Sequence, residues 1–379
     1  MFILIAKLAF IATILYSITS LIFLAGTFRI NKKTQSFKTL VSVVIAARNE
    51  EHTIVNVLTD LIKQTYPHDY YEVIVVDDQS TDNTAKIVSD LARDNPFIRL
   101  LTSQEDENGL IKAKKNAIQQ GIKASRGEII LSTDADCRVK STWIETLVSY
   151  FTDDVGMVVG FSQIGRPGER QTFFEQLQAI DFLALLTAAQ GSLNLNMPLA
   201  ATGQNIAYRK CTFDEIGGFK EIGHRISGDD VLLLQLIHRN TKWNIRFAPH
   251  QDSFNYTYGE KSVLRFLSQR NRWASNGSYQ LKLNKLFFLI LLNTFMMNVL
   301  MLFSILFSLI LPQQVPLILG SLLIKMMVEF AVILRGAAIY QRRDLIRYFP
   351  LWSLLEIPYI VLIGTTGNFG KFRWKGRKN

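Results

Sequence analysis

The sequence predicts an α/β protein: a mostly parallel sheet covered by helices on both faces, set between apolar segments long enough to cross a membrane. Three observations predict it. Apolar residues make up 48% of the 379-residue chain, and they concentrate at 1–28 and 286–369. Between those stretches, short continuous apolar runs rich in Val and Ile alternate with helical patterns, the order expected of parallel strands buried on both faces. Finally, acidic residues follow directly on two of the predicted strands, at the sheet edge where open α/β sheets bind ligands.

Residues 4–28 run apolar from Leu4 to Phe28. That exceeds the ~20 residues a span needs. Arg29, Lys32, Lys33 and Lys38 follow and mark a cytoplasmic end. A cleaved signal peptide is the other reading, but the run is long for one and has no small-residue cleavage site. Val41-Ser-Val-Val-Ile-Ala reads as a buried strand. Residues 51–65 place Ile54, Val57, Leu58 and Leu61 at helical spacing. Strands at 72–76, 98–101 and 128–132 then alternate with helices at 83–94 and 111–124. Residues 170–187 carry Phe173, Phe174, Leu177, Ile180 and Ala184 on one helical face. Two readings stay open there: a core-packing helix, or an interfacial helix seating the domain on a membrane.

A second apolar span covers 286–311, Pro312-Gln313-Gln314 turns the chain, and a third span covers 315–334. Lys325 and Glu329 sit one helical turn apart in it and can pair. Charges at that depth usually face protein or water. Residues 349–369 are apolar but include Glu356 and Pro358. A fourth span would carry the basic tail outside. A re-entrant or interfacial segment would keep Lys371, Arg373, Lys375, Arg377 and Lys378 inside. The expected division is an N-terminal anchor at 1–28, an α/β domain at 38–285, a membrane region at 286–369 with two or three segments, and a basic tail at 370–379.

The net charge of +10 lies largely beside the apolar runs, so it reads as membrane orientation, and no nucleic-acid-binding motif accompanies it. Two cysteines, Cys137 and Cys211, cannot build a disulfide framework, which points to a reducing compartment and a cytoplasmic α/β domain in a multi-pass cell-membrane protein. The five histidines show no ligand spacing, which argues against zinc.

Chemistry concentrates where acids follow strands. Val73-Ile-Val-Val-Asp77-Asp78-Gln-Ser80-Thr-Asp82 and Ile129-Ile-Leu-Ser-Thr-Asp134-Ala-Asp136 bring two acidic clusters to one sheet edge. The D-x-D pair Asp134 and Asp136 suits a hard divalent cation such as Mg²⁺ or Mn²⁺, which prefers oxygen ligands and offsets charge on a leaving diphosphate. Alone, such a pair is equally a solvated turn. Asp229-Asp230 precedes a helix; it can cap that helix or supply a carboxylate base. Gln269-Arg-Asn-Arg272-Trp273 can be a basic interfacial helix anchored by Trp273. It can equally place an indole face against a sugar, with Arg and Gln on hydroxyls or diphosphate.

Together these residues resemble the family 2 glycosyltransferases, in order over 40–275. Val41-Ser-Val-Val-Ile-Ala46-Ala-Arg-Asn49-Glu50-Glu51 resembles the opening strand and nucleotide loop. Val75-Val-Asp77-Asp78-x-Ser80-x-Asp82-x-Thr84 resembles the base-binding segment. Lys114 matches the lysine of the family's G-K-x-x-A-L stretch, with Ala113 where glycine is usual; a plain surface lysine is its other reading. Gly203-Gln-Asn-Ile-Ala-Tyr208-Arg209, then Gly217-Gly218-Phe219, resembles the acceptor-side loop. Gly228-Asp229-Asp230 resembles the E-D segment, varying the usual T-E, and Gln269-x-x-Arg272-Trp273 the Q-x-x-R-W signature.

The resemblance implies a GT-A fold and an inverting transfer from a nucleotide-sugar, most readily a UDP-sugar, to a membrane glycan or lipid acceptor in cell-envelope polysaccharide or glycolipid synthesis. It implies Asp230 as general base with Asp229 beside it. Ala46, Asn49, Glu50, Asp77, Asp78, Lys114 and Asp134 would hold the nucleotide, Asp136 and Asp134 the metal, and Gln269, Arg272 and Trp273 the acceptor or diphosphate. Single transfer to a lipid and processive polymerisation both fit. A catalytically inactive sugar-nucleotide sensor or scaffold is the alternative of another class, and a transporter has too few spans to fit.

Overall fold

The computed structural model describes residues 2–34, 38–106, 109–166, 168–225, 227–308, 312–369, 373–374 and 377–378. It begins with helix α1, Phe2–Gly26. The chain then alternates strand and helix: β1 Val41–Ala47, α2 Ile54–Ile62, β2 Tyr71–Asp77, α3 Thr84–Asp94, β3 Ile98–Thr102, α4 Ala113–Ala124 and β4 Ile129–Ser132. All of these are legible as apolar periodicity. The four strands lie parallel in the order β3-β2-β1-β4. Their β-branched residues are buried on both faces: every residue of β2 is buried, and β1 is nearly so. Helix α4 packs so closely on the sheet that a Cβ at Gly121 would sit 2.5 Å from Val44.

The sheet then departs from simple alternation. β5 Arg138–Val139, α5 Trp143–Val148, β6 Val155–Gly160, β7 Ser162–Ile164 and α6 Phe173–Asn194 come next. They are followed by β8 Ile206–Arg209, α7 Lys210–Glu215, α8 Val231–Asn240, β9 Asn244–Ala248 and β10 Asn255–Thr257. β8 inserts antiparallel between β4 and β6, and β9 completes a seven-stranded sheet of order β3-β2-β1-β4-β8-β6-β9. β5, β10 and β7 form a small second sheet at the end of β4. Its strands are two or three residues long, too short for a sequence period to show.

The remaining helices are α9 Val263–Ala274, α10 Gln280–Leu283, α11 Lys285–Ser308, α12 Val315–Ile339 and α13 Phe349–Phe369, before a two-residue pair β11 Arg373–Trp374 and β12 Arg377–Lys378. Four helices are long and apolar enough to cross a membrane: α1, α11, α12 and α13. The end of the predicted second span at Leu311 lies outside the described residues, as does most of the basic tail. The third span extends beyond its predicted end at 334 to Ile339.

Helix α6 joins the two parts. It starts at a capping box, with Thr172 Oγ1 accepting from Glu175 N at 3.2 Å and Glu175 Oε2 accepting from Thr172 N at 2.8 Å. It runs past the predicted end at 187 to Asn194, packing on the sheet with one side and on α1 and α12 with another. The contact with α1 is made by glycines: a Cβ on Gly191 would sit 1.9 Å from Phe23 O, and one on Gly26 would sit 2.1 Å from Gly191 O. Asn194 Nδ2 then donates to Gly26 O and Arg29 O, and Arg335 of α12 donates to Thr27 at the end of α1. A cation there also complements the C-terminal end of the helix dipole.

The predicted Lys325–Glu329 pair forms at 2.5 Å and gains a third member, Glu356 of α13, also 2.5 Å from Lys325 Nζ. Ser353 and Tyr16 donate to the two oxygens of Glu329. Both ends of α13 meet the α/β part. Trp352 Nε1 donates to Asp181 of α6 at 3.3 Å, and Thr366 Oγ1 donates to Asn271 of α9 at 2.8 Å.

Candidate active site

The carboxyl ends of β1, β2 and β4 open into a cavity of about 670 Å³. Of the thirteen residues singled out from the sequence, eleven line it: Ala46, Glu50, Asp78, Lys114, Asp134, Asp136, Asp229, Asp230, Gln269, Arg272 and Trp273. They come from segments as far apart as β1 and α9, which the fold brings to one edge.

Asn49 and Asp77 do not line it. Asn49 takes a left-handed backbone, φ 53°, and its Oδ1 accepts from Thr81 N at 2.8 Å. It therefore ties the loop after β1 to the loop after β2. Asp77 is buried, and both its oxygens lie 3.3 Å from Ser80 N. Asp82 has the same building role, accepting from Thr84 N, Thr84 Oγ1 and Glu51 N. Those bonds overcome burial and hold its carboxyl below the ordinary range. Asp78 faces the cavity, with Ser103 Oγ donating to its Oδ1 at 3.1 Å.

Lys114 connects two of the acidic clusters. Its Nζ lies 2.7 Å from Asp134 Oδ1 and 2.7 Å from Asp229 Oδ2. Burial works against its charge, but the two carboxylates outweigh burial and raise its pKa. From sequence this lysine could equally lie on the surface of α4; the structure sets it between Asp134 and Asp229. Its neighbour Lys115 is fully buried and donates to Ser227 O at 2.8 Å and to Arg225 O at 2.5 Å. Burial lowers its pKa to about 8.

Asp229 and Asp230 are adjacent but differ. Burial favours the neutral form of both. At Asp229 the two lysines win and hold the carboxyl below its usual range. At Asp230 burial and the charge of Asp229 raise it. Asp230 Oδ1 accepts from Val231 N at 2.6 Å, so it does cap α8, and its Oδ2 accepts from Gly203 N at 2.8 Å. Capping and facing the cavity are therefore compatible. Gly203 is closely approached: a Cβ there would sit 3.1 Å from Asp229 Oδ2 and 3.4 Å from Asp230 Oδ2, so the carboxylates would have to shift slightly. Gly228, where the family usually has threonine, is left-handed at φ 87°, and a Cβ would meet Leu232 at 2.6 Å.

Asp134, Asp136 and Cys137 place one ligand atom each within 4.8 Å of one another. The two carboxylates face the cavity and match the oxygen preference of Mg²⁺ or Mn²⁺. Cys137 is buried, and its Sγ lies 3.9 Å from Asp136 Oδ1. Burial, with the charges of Asp136 and Asp134, pushes the thiol pKa up and favours its protonated form.

On the far wall, Gln269 Nε2 donates to Glu260 at 3.2 Å. From the sequence, Trp273 can be an interface anchor or can set an indole face against a sugar. In the structure it lines the cavity, the guanidinium of Arg270 lies 4.2 Å from its ring centre, and Phe182 packs beside the ring. Arg270 itself is 4% exposed, also covers Phe266, and has Nη2 2.7 Å from Asp181 Oδ2. Sequence reading misses Arg270 and Asp181. They lie far apart in the chain and only folding pairs them, although the helical position of Arg270 between Gln269 and Arg272 is a signal.

The family model described as "Glycosyl transferase family 2" matches residues 42–215, and "Glycosyl transferase family group 2" matches residues 129–360. The beta-monoglucosyldiacylglycerol synthase of Nostoc sp. is 30% identical over 249 residues, covering 65% of this chain and 50% of that protein. The poly-beta-1,6-N-acetyl-D-glucosamine synthase of Staphylococcus epidermidis is 22% identical over 240 residues, covering 62% and 54%. The chain thus spans about half the length of the curated relatives it matches. A solved mannosyltransferase from Pyrobaculum calidifontis, in complex with GDP-Man and Mn²⁺, superposes with a TM-score of 0.61 at 18% identity over 97% of this chain and 99% of that one. That likeness extends through the apolar helices and concerns the fold, which is of the GT-A kind. The matched models span the sheet, the acidic edge and most of the apolar helices, and on that basis the chain belongs to family 2 of the glycosyltransferases.

Proposed function

We propose that this chain is an inverting, membrane-bound transferase that moves a sugar from a nucleotide-sugar donor to a membrane-associated glycan or lipid, in the synthesis of a cell-envelope polysaccharide or glycolipid. UDP-sugars are the first donors to test. The α/β part, 38–285, faces the cytoplasm, carried by the anchor 1–28 and the membrane region 286–369. The observation that carries the reading is the convergence of Asp78, Lys114, Asp134, Asp229 and Asp230 on one cavity with the Gln269–Trp273 segment.

In this reading Ala46, Glu50 and Asp78 seat the nucleotide, with Asn49 and Asp77 shaping its loops. Asp134 and Asp136 hold Mg²⁺ or Mn²⁺, which when bound neutralises charge on the leaving diphosphate. The GDP-Man and Mn²⁺ held by the solved mannosyltransferase support a nucleotide-sugar and a metal here. Lys114 holds Asp134 and Asp229 in place, and Asp229 raises the proton affinity of Asp230. Asp230 takes the acceptor proton as the acceptor oxygen attacks the anomeric carbon. Its pairing with Gly203 N and Val231 N aims the carboxylate into the cavity. Gln269 and Arg272 receive acceptor or diphosphate oxygens, and Trp273 supports them with Arg270 stacked on it.

The test is purified full-length chain in nanodiscs with UDP- and GDP-sugars and a membrane-lipid extract. Metal-dependent nucleotide release, lost in Asp136→Asn, is expected. A folded protein that binds nucleotide and releases none with any donor would contradict the reading.

A further inference from the structure

Lys115 is fully buried and takes no part in the transfer steps above. An enclosed ammonium is costly unless it is paired and hydrogen-bonded. Its two acceptors are backbone carbonyls rather than carboxylates: Arg225 O at 2.5 Å and Ser227 O at 2.8 Å. An apolar side chain could fill the same volume without the cost of the charge, but it would leave both carbonyls without this donor.

Those carbonyls belong to the chain just before Asp229 and Asp230. Ser227 is held from both sides. Its carbonyl is bonded to Lys115 on α4, while its Oγ donates to Arg272 O of α9 at 3.1 Å and accepts from Asn276 Nδ2 at 2.9 Å. Arg225 is held likewise, with Nη2 donating to Ser275 O at 2.5 Å and Nε to Asn276 Oδ1 at 3.2 Å. Asp229 then meets Lys114, and Asp230 meets Gly203 N. Two adjacent lysines of α4 therefore grip one segment: Lys114 at the side chain of Asp229, Lys115 at the backbone that leads into it. The charges facing Lys115 are Lys114 on its own helix and Asp229, Asp230 and Arg225 across from it, and its charge is also felt at His224. The two carboxylates sustain the ammonium against burial, and it stabilises them in return. Lys115 is not among the residues lining the cavity, so it acts through the acid pair and not on the substrates.

We propose that Lys115 is a positioning residue for the transfer: by fixing the carbonyls of Arg225 and Ser227 it sets the place of Asp230 against Arg272 of α9, and its charge favours the ionised form of the acid pair. The proposal rests on the transfer reading above.

The experiment uses the full chain in nanodiscs with the donor panel and a membrane-lipid extract. Wild type, Lys115→Met, Lys115→Gln and Lys123→Met are compared. Nucleotide release is followed against pH, nucleotide affinity by calorimetry, and folding by thermal unfolding. Lys115→Met should lower kcat about a hundredfold, the effect of a small misplacement of the reacting groups, with nucleotide affinity unchanged. The acid limb of kcat/KM should move to higher pH, because the lost cation no longer favours the carboxylate of Asp230. Lys115→Gln keeps an N–H donor without the charge, so it should lose less kcat and show the same move of the limb. Lys123→Met, exposed in the last turn of α4, should match the wild type. If Lys115→Met does not fold, Lys115→Gln decides alone. Wild-type kcat in a folded Lys115 variant would overturn the proposal and leave the transfer reading intact. An acid limb that stays in place would overturn it as well, since a role in the fold alone moves stability and not that limb. Absence of nucleotide release from every donor by the wild type would overturn both.

Discussion

Asp229 and Asp230 show how neighbouring identical residues acquire different chemistry. Lys114 and Lys115 hold the first as an anion, and burial together with that anion raises the second. Two carboxyls pushed apart in this way suit a division between positioning and proton transfer. Asp230→Asn keeps the shape and the contact with Gly203 but removes the base, so transfer should fall roughly 10²–10⁴-fold, with nucleotide affinity by calorimetry unchanged. The pH dependence follows from the sign of the shift. In the proposed mechanism Asp230 works deprotonated, so kcat/KM should fall as pH drops through a pKa lying above the ordinary ~3.9 of aspartate. In Asp229→Asn the residual activity should show this acid limb moved to lower pH; an unmoved limb would mean that another group sets it. Gly203→Ala should lower kcat more than it raises the KM for donor, because a Cβ would press on Asp229 at 3.1 Å.

At the scale of elements, α12 and α13 are joined by one lysine and two glutamates within the apolar bundle. Lys325→Met leaves both carboxylates buried without their cation, which costs on the order of 3–5 kcal/mol. The variant should lose thermal stability in detergent, and adding Glu329→Gln and Glu356→Gln should restore much of it. A stable single variant would show that the cluster reaches water. The sequence discloses Lys325 and Glu329 by their spacing, but Glu356 sits on another helix and no period links the three. The same distinction runs through the fold. Parallel strands β1 to β4 and their helices are legible because each carries its own apolar period. The antiparallel insertion of β8 and the small sheet β5-β10-β7 depend on pairings between distant short segments, which leave little local trace. For α13 the sequence admits both a span and a re-entrant segment. The helix is long and apolar enough to cross a membrane, and residues near its two ends bond to α6 and α9.

For the molecule as a whole, the site residues are legible as motifs, but the shape of the space they share is not. Eleven of thirteen expected residues line one cavity, while Asn49 and Asp77 turn into the loops that build it. Nothing in the sequence indicates that this cavity runs on into the apolar helices, because that continuity arises only when α6 is laid between the sheet and the bundle. Gly26 and Gly191 permit that arrangement by letting α1 and α6 touch through their backbones. Gly191→Leu should therefore separate the two parts, reducing transfer and making the α1–α6 junction accessible to proteolysis, with Asp230 untouched.

The most direct test of the central claim compares wild type and Asp230→Asn in nanodiscs, following nucleotide release and the anomeric configuration of the product by NMR. The wild type should show metal-dependent release and a product of inverted configuration, and Asp230→Asn should form product roughly 10²–10⁴-fold more slowly although it still binds the donor nucleotide. Retained configuration, or transfer by Asp230→Asn at the wild-type rate, would contradict the claim.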